Sequence, residues 1–244
     1  MKVSTVGIDG YGNFGKFLHE LCQRYFPDMK VKVYSRRKEI DNETFFSLEE
    51  VANCDVVLLC GAISDYEERI KKVIEYAPAD TILVDVATVK KHTSELLKDC
   101  CEGRRFISTH PMFGPESYKK HNQNVDGFRI VVTDYVLKND NYQRLKNTFA
   151  NLGFLIIEMT AEEHDRRLAE TLFVTHYVGQ SILAAGFKRT NIDTLSFQFL
   201  MDAVDSVKDD KRLFADVYKY NPYCKEAAAK LHEAQKAVFD ELGE

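Results

Sequence analysis

The sequence predicts an α/β domain followed by an all-helical domain. Up to about residue 158, short β-branched and aliphatic runs alternate with amphipathic helical segments, a pattern typical of βαβ units and a largely parallel sheet. From about Thr160 onward, apolar residues recur with the 3.6-residue period of helices, and no strand is expected. We therefore expect one domain over residues 1–158 and a second over residues 159–244.

Seven strands and four helices are expected in the first domain. The runs that predict strands cover residues 3–9, 31–35, 55–60, 81–86, 105–108, 127–133 and 154–157. The apolar stripes that predict helices cover residues 13–25, 65–76, 90–100 and 141–152. In the second domain, the same periodicity predicts helices over residues 162–185, 193–207, 212–220 and 225–242.

The composition is that of an ordinary globular protein. The 244 residues are 45% hydrophobic and carry a net charge of −5, which provides no basic field for nucleic acid or an anionic membrane. No apolar run approaches the ~20 residues needed to span a bilayer, and the first residues are too polar for a secretory signal peptide. The six cysteines include no CxxC pair, which predicts a reducing, cytoplasmic compartment and no structural disulfides. The seven histidines lack metal-ligand spacing, so no metal site is expected.

A glycine-rich turn, DGYGNFG, follows the first expected strand. In a dinucleotide fold of the Rossmann type, the first glycine of GxGxxG permits the turn, the second admits the pyrophosphate and the third lets the helix pack closely. The following helix also presents free N–H groups to the phosphates. The alternative is a tight βα turn without a ligand, but the strand–turn–helix context favours a cofactor site. The expected contacts are Gly10, Tyr11, Gly12, Asn13, Phe14 and Gly15, with Cys60 and Gly61 after the third strand.

The end of the second expected strand indicates which dinucleotide binds. An NAD site would place Asp or Glu there to bind the ribose 2′-hydroxyl. The chain instead has Ser35, Arg36 and Arg37, whose hydroxyl and guanidinium groups suit the 2′-phosphate of NADP. Because Lys38 continues the charge, a solvated basic loop is the alternative; we expect NADP.

Thr88 and His110 follow the fourth and fifth expected strands. Ligands of open α/β sheets bind at the carboxyl ends of the strands, so these two side chains are expected near the nicotinamide. An imidazole, with an unperturbed pKa of ~6.5, suits proton abstraction at neutral pH. A loop histidine that caps backbone groups is the alternative for His110.

Four motifs, in this order, resemble those of the prephenate and arogenate dehydrogenases. They are the SRR loop, the segment DVATVK with Thr88 in the position of the family's serine, the segment THPMFGP, and the run EMTAEEHDRRLAETLFVTHYVG. That last run resembles the family's interdomain helix. HPMFGPES, SRR and THYVG look most like the NADP-dependent arogenate dehydrogenases of plants and their bacterial relatives. The resemblance extends from Val3 to about Asn221.

The resemblance implies an enzyme of tyrosine biosynthesis that oxidises and decarboxylates arogenate or prephenate, with hydride transfer to NADP. By the same resemblance, His110 accepts the proton of the substrate's ring hydroxyl, and Thr88 orients that hydroxyl and the imidazole. A positioned base contributes typically ~10²–10⁴-fold to the rate.

The residues that hold the substrate match the family less completely. Many prephenate-type members carry an arginine on a later helix that binds a substrate carboxylate, but the matching residues here, 203–206, are AVDS. The family's tryptophan is also missing, because the chain has no Trp. His176 is a candidate donor to a substrate carboxylate, and Ser117 is a further candidate contact. Glu163 would favour the ammonium group of arogenate. A core histidine and an acidic first helical turn are the alternatives for His176 and Glu163.

The helical domain is expected to form a homodimer, because about 85 residues of amphipathic helix have little core of their own. Two other functions remain open, namely a related NADP-dependent reductase or β-hydroxyacid dehydrogenase and a non-catalytic NADP sensor. The dehydrogenase would more often carry a catalytic lysine on the first long helix, and residues 165–187 contain none.

Overall fold

The structure of the chain is a computed structural model, and it describes residues 3–243. The chain divides into two compact units, one that ends at Ala161 and one that begins at Glu162. The first unit has alternating strands and helices and the second is helical, so the predicted fold class is confirmed. The sequence patterns placed the boundary after residue 158, which is the last residue of the final strand.

The first unit is built on one seven-stranded sheet. Its strands are β1 (Thr5–Asp9), β2 (Lys30–Tyr34), β3 (Val56–Leu59), β4 (Ile82–Asp85), β5 (Arg105–Pro111), β6 (Arg129–Val136) and β7 (Leu155–Glu158). They lie in the order β2-β1-β3-β4-β5-β6-β7. All neighbours are parallel except β5 and β6, which are antiparallel, so β6 and β7 run opposite to the other five strands.

Helices connect these strands and make up the second unit. The first six are α1 (Asn13–Tyr25), α2 (Leu48–Ala52), α3 (Tyr66–Tyr76), α4 (Lys91–Cys100), α5 (Pro115–Lys120) and α6 (Asn139–Asn151). The others are α7 (Ala161–Leu168), α8 (Val174–Ala185), α9 (Leu195–Val207), α10 (Lys211–Tyr220) and α11 (Cys224–Leu242). A π-helical turn, Ala169–Phe173, joins α7 to α8, and a 3₁₀ turn, Ile63–Asp65, precedes α3.

The structure corrects the expected surroundings of His110. The strand expected to end at residue 108 continues to Pro111, so His110 lies inside β5 and opposite Val131 of β6. His110 is therefore held by a sheet rather than by a turn after a strand. After Pro111, which ends β5, Gly114 caps the short helix α5 that begins at Pro115, and the sequence patterns did not predict this helix.

The core of the first unit lies against the sheet. Ile8, Val33 and Val57 are fully buried on neighbouring strands, as expected for a largely parallel sheet covered on both faces. Phe17 of α1 packs edge-on against Phe113, with ring centroids 6.0 Å apart. This packing holds α1, and therefore the turn before it, firmly on the sheet.

No helix among residues 3–243 combines the length and the apolar character that crossing a membrane requires. Within the same residues, no group of three or more His, Cys, Asp or Glu side chains is arranged to hold a metal ion.

Candidate functional site

The glycine-rich turn joins β1 to α1. Gly10 has a φ of +120°, a region that favours glycine, and its N–H donates to the carbonyl oxygen of Tyr34 at 3.0 Å. A Cβ on Gly15 would clash with the carbonyl oxygen of Gly10, so only glycine fits where the helix packs on the turn. A Cβ on Gly12 would meet no described atom within 4 Å, which leaves room for a ligand beside this residue.

The N-terminus of α1 can bind the phosphates of such a ligand. Gly12 is the N-cap, and no side chain of the described residues caps the helix there. The first backbone N–H groups therefore have no intrahelical acceptor and carry the positive end of the helix dipole. Tyr11, Asn13 and Phe14 belong to the same turn, and the Tyr11 ring packs edge-on against Phe45 at 5.0 Å.

Cys60 and Gly61 follow β3, which lies on the opposite side of β1 from β2. The N–H of Cys60 donates to the carbonyl oxygen of Asp9 at 2.9 Å. Burial raises the pKa of the Cys60 thiol well above its usual range, so this side chain is neutral. The side chain of Arg69 packs over Gly61. These two residues therefore form the wall of the site on the β3 side.

Asp9 is a site residue that the sequence patterns did not predict. It precedes Gly10 and is almost fully buried, and its carboxylate pairs with the Arg69 guanidinium, with Nε 2.9 Å from Oδ2. Burial raises the pKa of Asp9, and the charge and hydrogen bond of Arg69 oppose that increase. The available signal was an acid at the end of the otherwise apolar strand TVGID. Its partner lies 60 residues away, so the pair could not be inferred locally.

The loop after β2 carries the residues expected to choose the cofactor. Arg36 and Arg37 are exposed, and the hydroxyl of Ser35 accepts the backbone N–H of Arg37 at 3.3 Å. The Arg36 guanidinium forms an ion pair with Asp65 at 3.3 Å. Asp65 was not expected in this region, because it belongs to the turn after β3.

Thr88 and His110 lie on two neighbouring segments at the carboxyl edge of the sheet. Thr88 is half-buried in the bend after β4, and His110 is buried near the end of β5, which is parallel to β4. The Thr109 hydroxyl donates to the carbonyl oxygen of Asp85 at 2.6 Å, and the Lys90 ammonium donates to the carbonyl oxygen of Thr109 at 2.5 Å. The segments that carry the two predicted catalytic side chains are thus bonded to each other.

Beneath these segments lies a buried ion pair between Asp85 and Lys90, each fully excluded from solvent. The Asp85 carboxylate accepts further hydrogen bonds from the backbone N–H of Ala87 at 2.7 Å and from three hydroxyl groups. Those hydroxyls belong to Tyr66 at 2.5 Å, Thr93 at 2.7 Å and Ser108 at 3.0 Å. Burial and the Asp85 charge raise the pKa of Tyr66, so it remains a phenol that can donate. The acid and the lysine were visible in DVATVK, but their pairing was not.

Ser117 has a local role at the start of α5. Its hydroxyl accepts the backbone N–H of Gly114 at 2.8 Å and lies 2.9 Å from the carbonyl oxygen of the same residue. The hydroxyl thus caps the short helix, and a contact to substrate would compete with these bonds.

Glu163 and His176 belong to the second unit. Glu163 forms an ion pair with Arg167 at 2.5 Å on the exposed face of α7. His176 of α8 is buried, and its Nδ1 lies 2.9 Å from the carbonyl oxygen of Leu172. Its Nε2 has no hydrogen-bond partner among the described residues and lies 3.7 Å from the Asp210 carboxylate. His176 therefore has one ring nitrogen in use within its helix and one that can still bond.

Comparison with known proteins finds relatives over nearly the whole chain. The family model of the prephenate dehydrogenase nucleotide-binding domain matches residues 27–152, and the TYRAAT1-like C-terminal domain matches residues 182–244. Arogenate dehydrogenases 2 and 1 of Arabidopsis thaliana, both named chloroplastic, are each 30% identical over 97% of this chain. The chain spans 69% of the first relative and 39% of the second.

A solved structure has the same fold. Prephenate dehydrogenase from A. aeolicus, in complex with hydroxyphenyl propionate and NAD⁺, has a TM-score of 0.74 at 19% identity and covers 100% of this chain and 90% of its own. The nucleotide-binding model matches more than half of the chain, over β2 to β6 with the second-strand loop, Thr88 and His110. The chain therefore belongs to the prephenate/arogenate dehydrogenase family, as its motifs predicted.

Proposed function

We propose that this chain is an NADP-dependent dehydrogenase that oxidises and decarboxylates arogenate or prephenate in tyrosine biosynthesis. The observation that carries the proposal is the bonded pair of segments holding Thr88 and His110, which the Asp85–Lys90 pair joins at the carboxyl edge of the sheet. Ligands of open α/β sheets bind at this edge. Family membership supports the class of reaction.

His110 is the proposed base. Its imidazole takes the proton of the ring hydroxyl while a hydride leaves the carbon that bears this hydroxyl. The oxidised nicotinamide supplies the hydride acceptor. The ring carboxylate then leaves as carbon dioxide, its bonding electrons complete the aromatic ring, and the ring oxygen recovers a proton. The protein's main contribution beyond the base is alignment, which the buried network beneath Thr88 and His110 maintains.

The substrate we propose is arogenate in preference to prephenate. A Glu163 carboxylate would attract the side-chain ammonium of arogenate and disfavour the keto acid. His176 Nε2, which has no hydrogen-bond partner among residues 3–243 and lies 3.7 Å from the Asp210 carboxylate, is a proposed donor to a substrate carboxylate, and Ser117 is a third proposed contact. Turnover of the two substrates by the intact chain tests the preference, and a higher kcat/KM for prephenate would contradict it.

The cofactor we propose is NADP, bound at its 2′-phosphate by Ser35, Arg36 and Arg37. We expect at least a tenfold higher catalytic efficiency with NADP than with NAD, or about 1.4 kcal/mol. The structural neighbour from A. aeolicus was solved with NAD⁺, so the choice must be measured for this chain. An Arg36→Asp substitution should reduce or reverse the preference for NADP over NAD. Equal catalytic efficiencies with the two cofactors in the unaltered chain would refute the proposal.

Replacing His110 tests the catalytic proposal. His110→Asn should retain folding and NADPH binding but lower kcat by roughly 10²-fold or more and flatten the acid limb of the pH profile. The matched control is His232→Asn, which changes an exposed histidine on α11 and should leave kcat unchanged. Unchanged turnover in a folded His110→Asn protein would remove the base from the mechanism. An unaltered chain that binds NADPH but turns over neither substrate would support the sensor alternative.

We also propose that two copies associate through the helical unit. Its exposed apolar side chains include Ile192 at 83%, Leu195 at 65% and Phe199 at 64%, all on or just before α9. Leu195 and Phe199 are four residues apart on α9 and so share one face of it, and large apolar patches exposed on a monomer often mark a protein–protein interface. Light scattering at micromolar concentration should give a dimeric mass, and a strictly monomeric mass would contradict the proposal.

A reducing compartment such as the cytoplasm is the proposed location. All six cysteines are free, and burial raises the pKa of the thiols of Cys22, Cys60 and Cys101. The two plant relatives are named chloroplastic, so imaging of a tagged full-length protein in its own cell is the direct test.

A further inference from the structure

Four charged side chains gather where β1, β2 and β3 end. Asp9 closes β1, Arg36 lies in the loop after β2, Asp65 ends the 3₁₀ turn after β3, and Arg69 lies on α3, which follows that turn. Because β1 lies between β2 and β3, the Arg36–Asp65 ion pair links the two sides of the glycine-rich turn. In a dinucleotide fold, the adenosine half of the cofactor lies beside this turn.

The two ion pairs in this group differ in how firmly they are held. The Asp9–Arg69 pair is bidentate, and the exposures of its side chains are only 2% and 14%. The Arg36–Asp65 pair has a single contact at 3.3 Å, and its side chains are 60% and 31% exposed. An exposed pair with one contact contributes little to stability and exchanges readily, whereas a buried pair does not. Arg36 is therefore the guanidinium that a ligand can take from its partner.

We propose that Asp65 sets how strongly this chain prefers NADP over NAD, by acting as a removable counter-ion of Arg36. This inference rests on the proposed function, namely that a nicotinamide dinucleotide binds at the glycine-rich turn. NAD sites usually place an acid at the end of the second strand. Here the acid comes from the β3 side instead, so a basic and an acidic determinant face the same ribose.

The two determinants act in opposite directions. A 2′-phosphate carries a charge of about −1.5 to −2 and needs the Arg36 donors that Asp65 holds. A carboxylate 3.3 Å from that guanidinium competes for its donors and repels the phosphate. A 2′-hydroxyl meets no such repulsion and can donate to the carboxylate. Asp65 thus weakens NADP binding without weakening NAD binding.

The test compares Asp65→Asn with the unaltered chain by fluorescence titration of NADPH and NADH on the full-length protein. We expect the Kd for NADPH to fall about fivefold, the upper range for an exposed charge pair, because the phosphate no longer faces a carboxylate. The Kd for NADH should stay within about twofold of its value in the unaltered chain, or should increase if the 2′-hydroxyl donates to the carboxylate. The effect should shrink as ionic strength increases, since exposed charges are screened.

Glu68→Gln is the matched control. Glu68 lies three residues further along, pairs with Lys72 at 2.5 Å, and has its pKa lowered by that lysine and to a smaller extent by Arg36. Its replacement removes the same charge nearby without freeing Arg36, so the ratio of the two dissociation constants should stay within about twofold. An equal change in both variants would show a general field effect and overturn the proposal.

The outcomes separate this inference from the proposed function. If the unaltered chain binds neither NADPH nor NADH, the proposed function and this inference both fail. If it binds both and Asp65→Asn leaves their affinity ratio unchanged, only the role of Asp65 is refuted.

Discussion

Replacing Lys90 with methionine should strongly destabilise the first unit. The Lys90 ammonium is fully buried and donates to the Asp85 carboxylate and to the carbonyl oxygen of Thr109. Methionine fills a similar volume but leaves Asp85 as a buried charge without a counter-ion. Removing one partner of a buried ion pair costs about 3–5 kcal/mol in the free energy of unfolding.

The structure places the expected cost at the lower end of that range. Asp85 would keep four other donors, from Ala87 N–H and from the hydroxyls of Tyr66, Thr93 and Ser108. The Thr109 carbonyl would lose its ammonium partner, which adds about 1 kcal/mol. We therefore expect Lys90→Met to lower the free energy of unfolding by about 3–4 kcal/mol.

A double variant separates the cost of leaving the Asp85 charge unpaired from the cost of the lost Lys90 side-chain packing. Asp85→Asn in the Lys90→Met background removes the unpaired charge, so the double variant should be more stable than Lys90→Met alone. Its turnover should stay below that of the unaltered chain, because the hydrogen bond from the Lys90 ammonium to the Thr109 carbonyl, which ties the Thr88 segment to β5, is still absent. Unfolding in urea can be followed by circular dichroism or by tyrosine fluorescence, since the chain has 12 Tyr and no Trp.

Lys98→Met, on the helix α4 that follows Lys90, is the control. Lys98 pairs with Asp134, but its side chain is mostly exposed, so its replacement should cost less than about 1 kcal/mol. The reasoning fails if Lys90→Met costs no more than this control. It also fails if the costs of the two single substitutions at Asp85 and Lys90 simply add.

Three further predictions concern other parts of the molecule. Gly15→Ala should lower the melting temperature and weaken NADPH binding at least about tenfold, because its Cβ would clash with the carbonyl oxygen of Gly10. Asp55→Asn should cost about 1–2 kcal/mol at pH 7, because the backbone N–H groups of Ser4 and Thr5 hold the pKa of this carboxylate below its usual value. That difference should vanish as the pH falls through the lowered pKa, in urea titrations at several pH values. Phe173→Ala should cost about 3–5 kcal/mol, because this fully buried ring stacks on its neighbours in the second unit.

A specific outcome would contradict each of these three predictions. Gly12→Ala should leave the melting temperature unchanged while weakening NADPH binding, so equal melting losses in both glycine variants would refute the steric argument. A pH-independent effect of Asp55→Asn would remove the role assigned to its charge. A loss below about 1 kcal/mol in Phe173→Ala would mean that the ring is not a core residue.

Secondary structure followed closely from local patterns where elements are long and periodic. The helix expected over residues 13–25 is α1, and three helices expected in the second unit match α9, α10 and α11 to within two residues. The helix expected over residues 162–185 is α7 and α8, joined by the π-helical turn. The two short helices α2 and α5 were missed, because five or six residues do not reveal a period. For α2 a signal was present, since Ser47 and Glu50 form a capping box whose SxxE spacing is visible in the sequence.

The strand that holds His110 was predicted too short for a physical reason. The expected strand ended at Ser108 because the residues that follow show no apolar alternation, although β5 itself continues to Pro111. The extension depends on pairing with β6, in which Pro111 lies opposite Ile130. Strand pairing across such a distance leaves no local trace in composition or periodicity.

The candidate site was predictable in its motifs but not in its supporting contacts. Glycine spacing, SRR, DVATVK and THP identified the residues expected to touch ligands, because each is a short contiguous pattern. The Asp85–Lys90 and Asp9–Arg69 pairs were not predicted, since a charged residue at the end of an apolar strand reads as exposed until its partner is known.

The π-helical turn Ala169–Phe173 has a consequence for how the chain can change over time. Such a turn is equivalent to one extra residue in a regular helix. In a regular α-helix one extra residue would rotate the part that follows by about 100°, but the wider π turn takes up that residue, so α7 and α8 keep the relative rotation of a continuous α-helix. Deleting a single residue in this turn should therefore restore α-helical geometry and leave His176 facing Phe214. A one-residue deletion should be tolerated better here than elsewhere in α7 or α8, and relatives should differ in length here before they do so in the rest of the two helices.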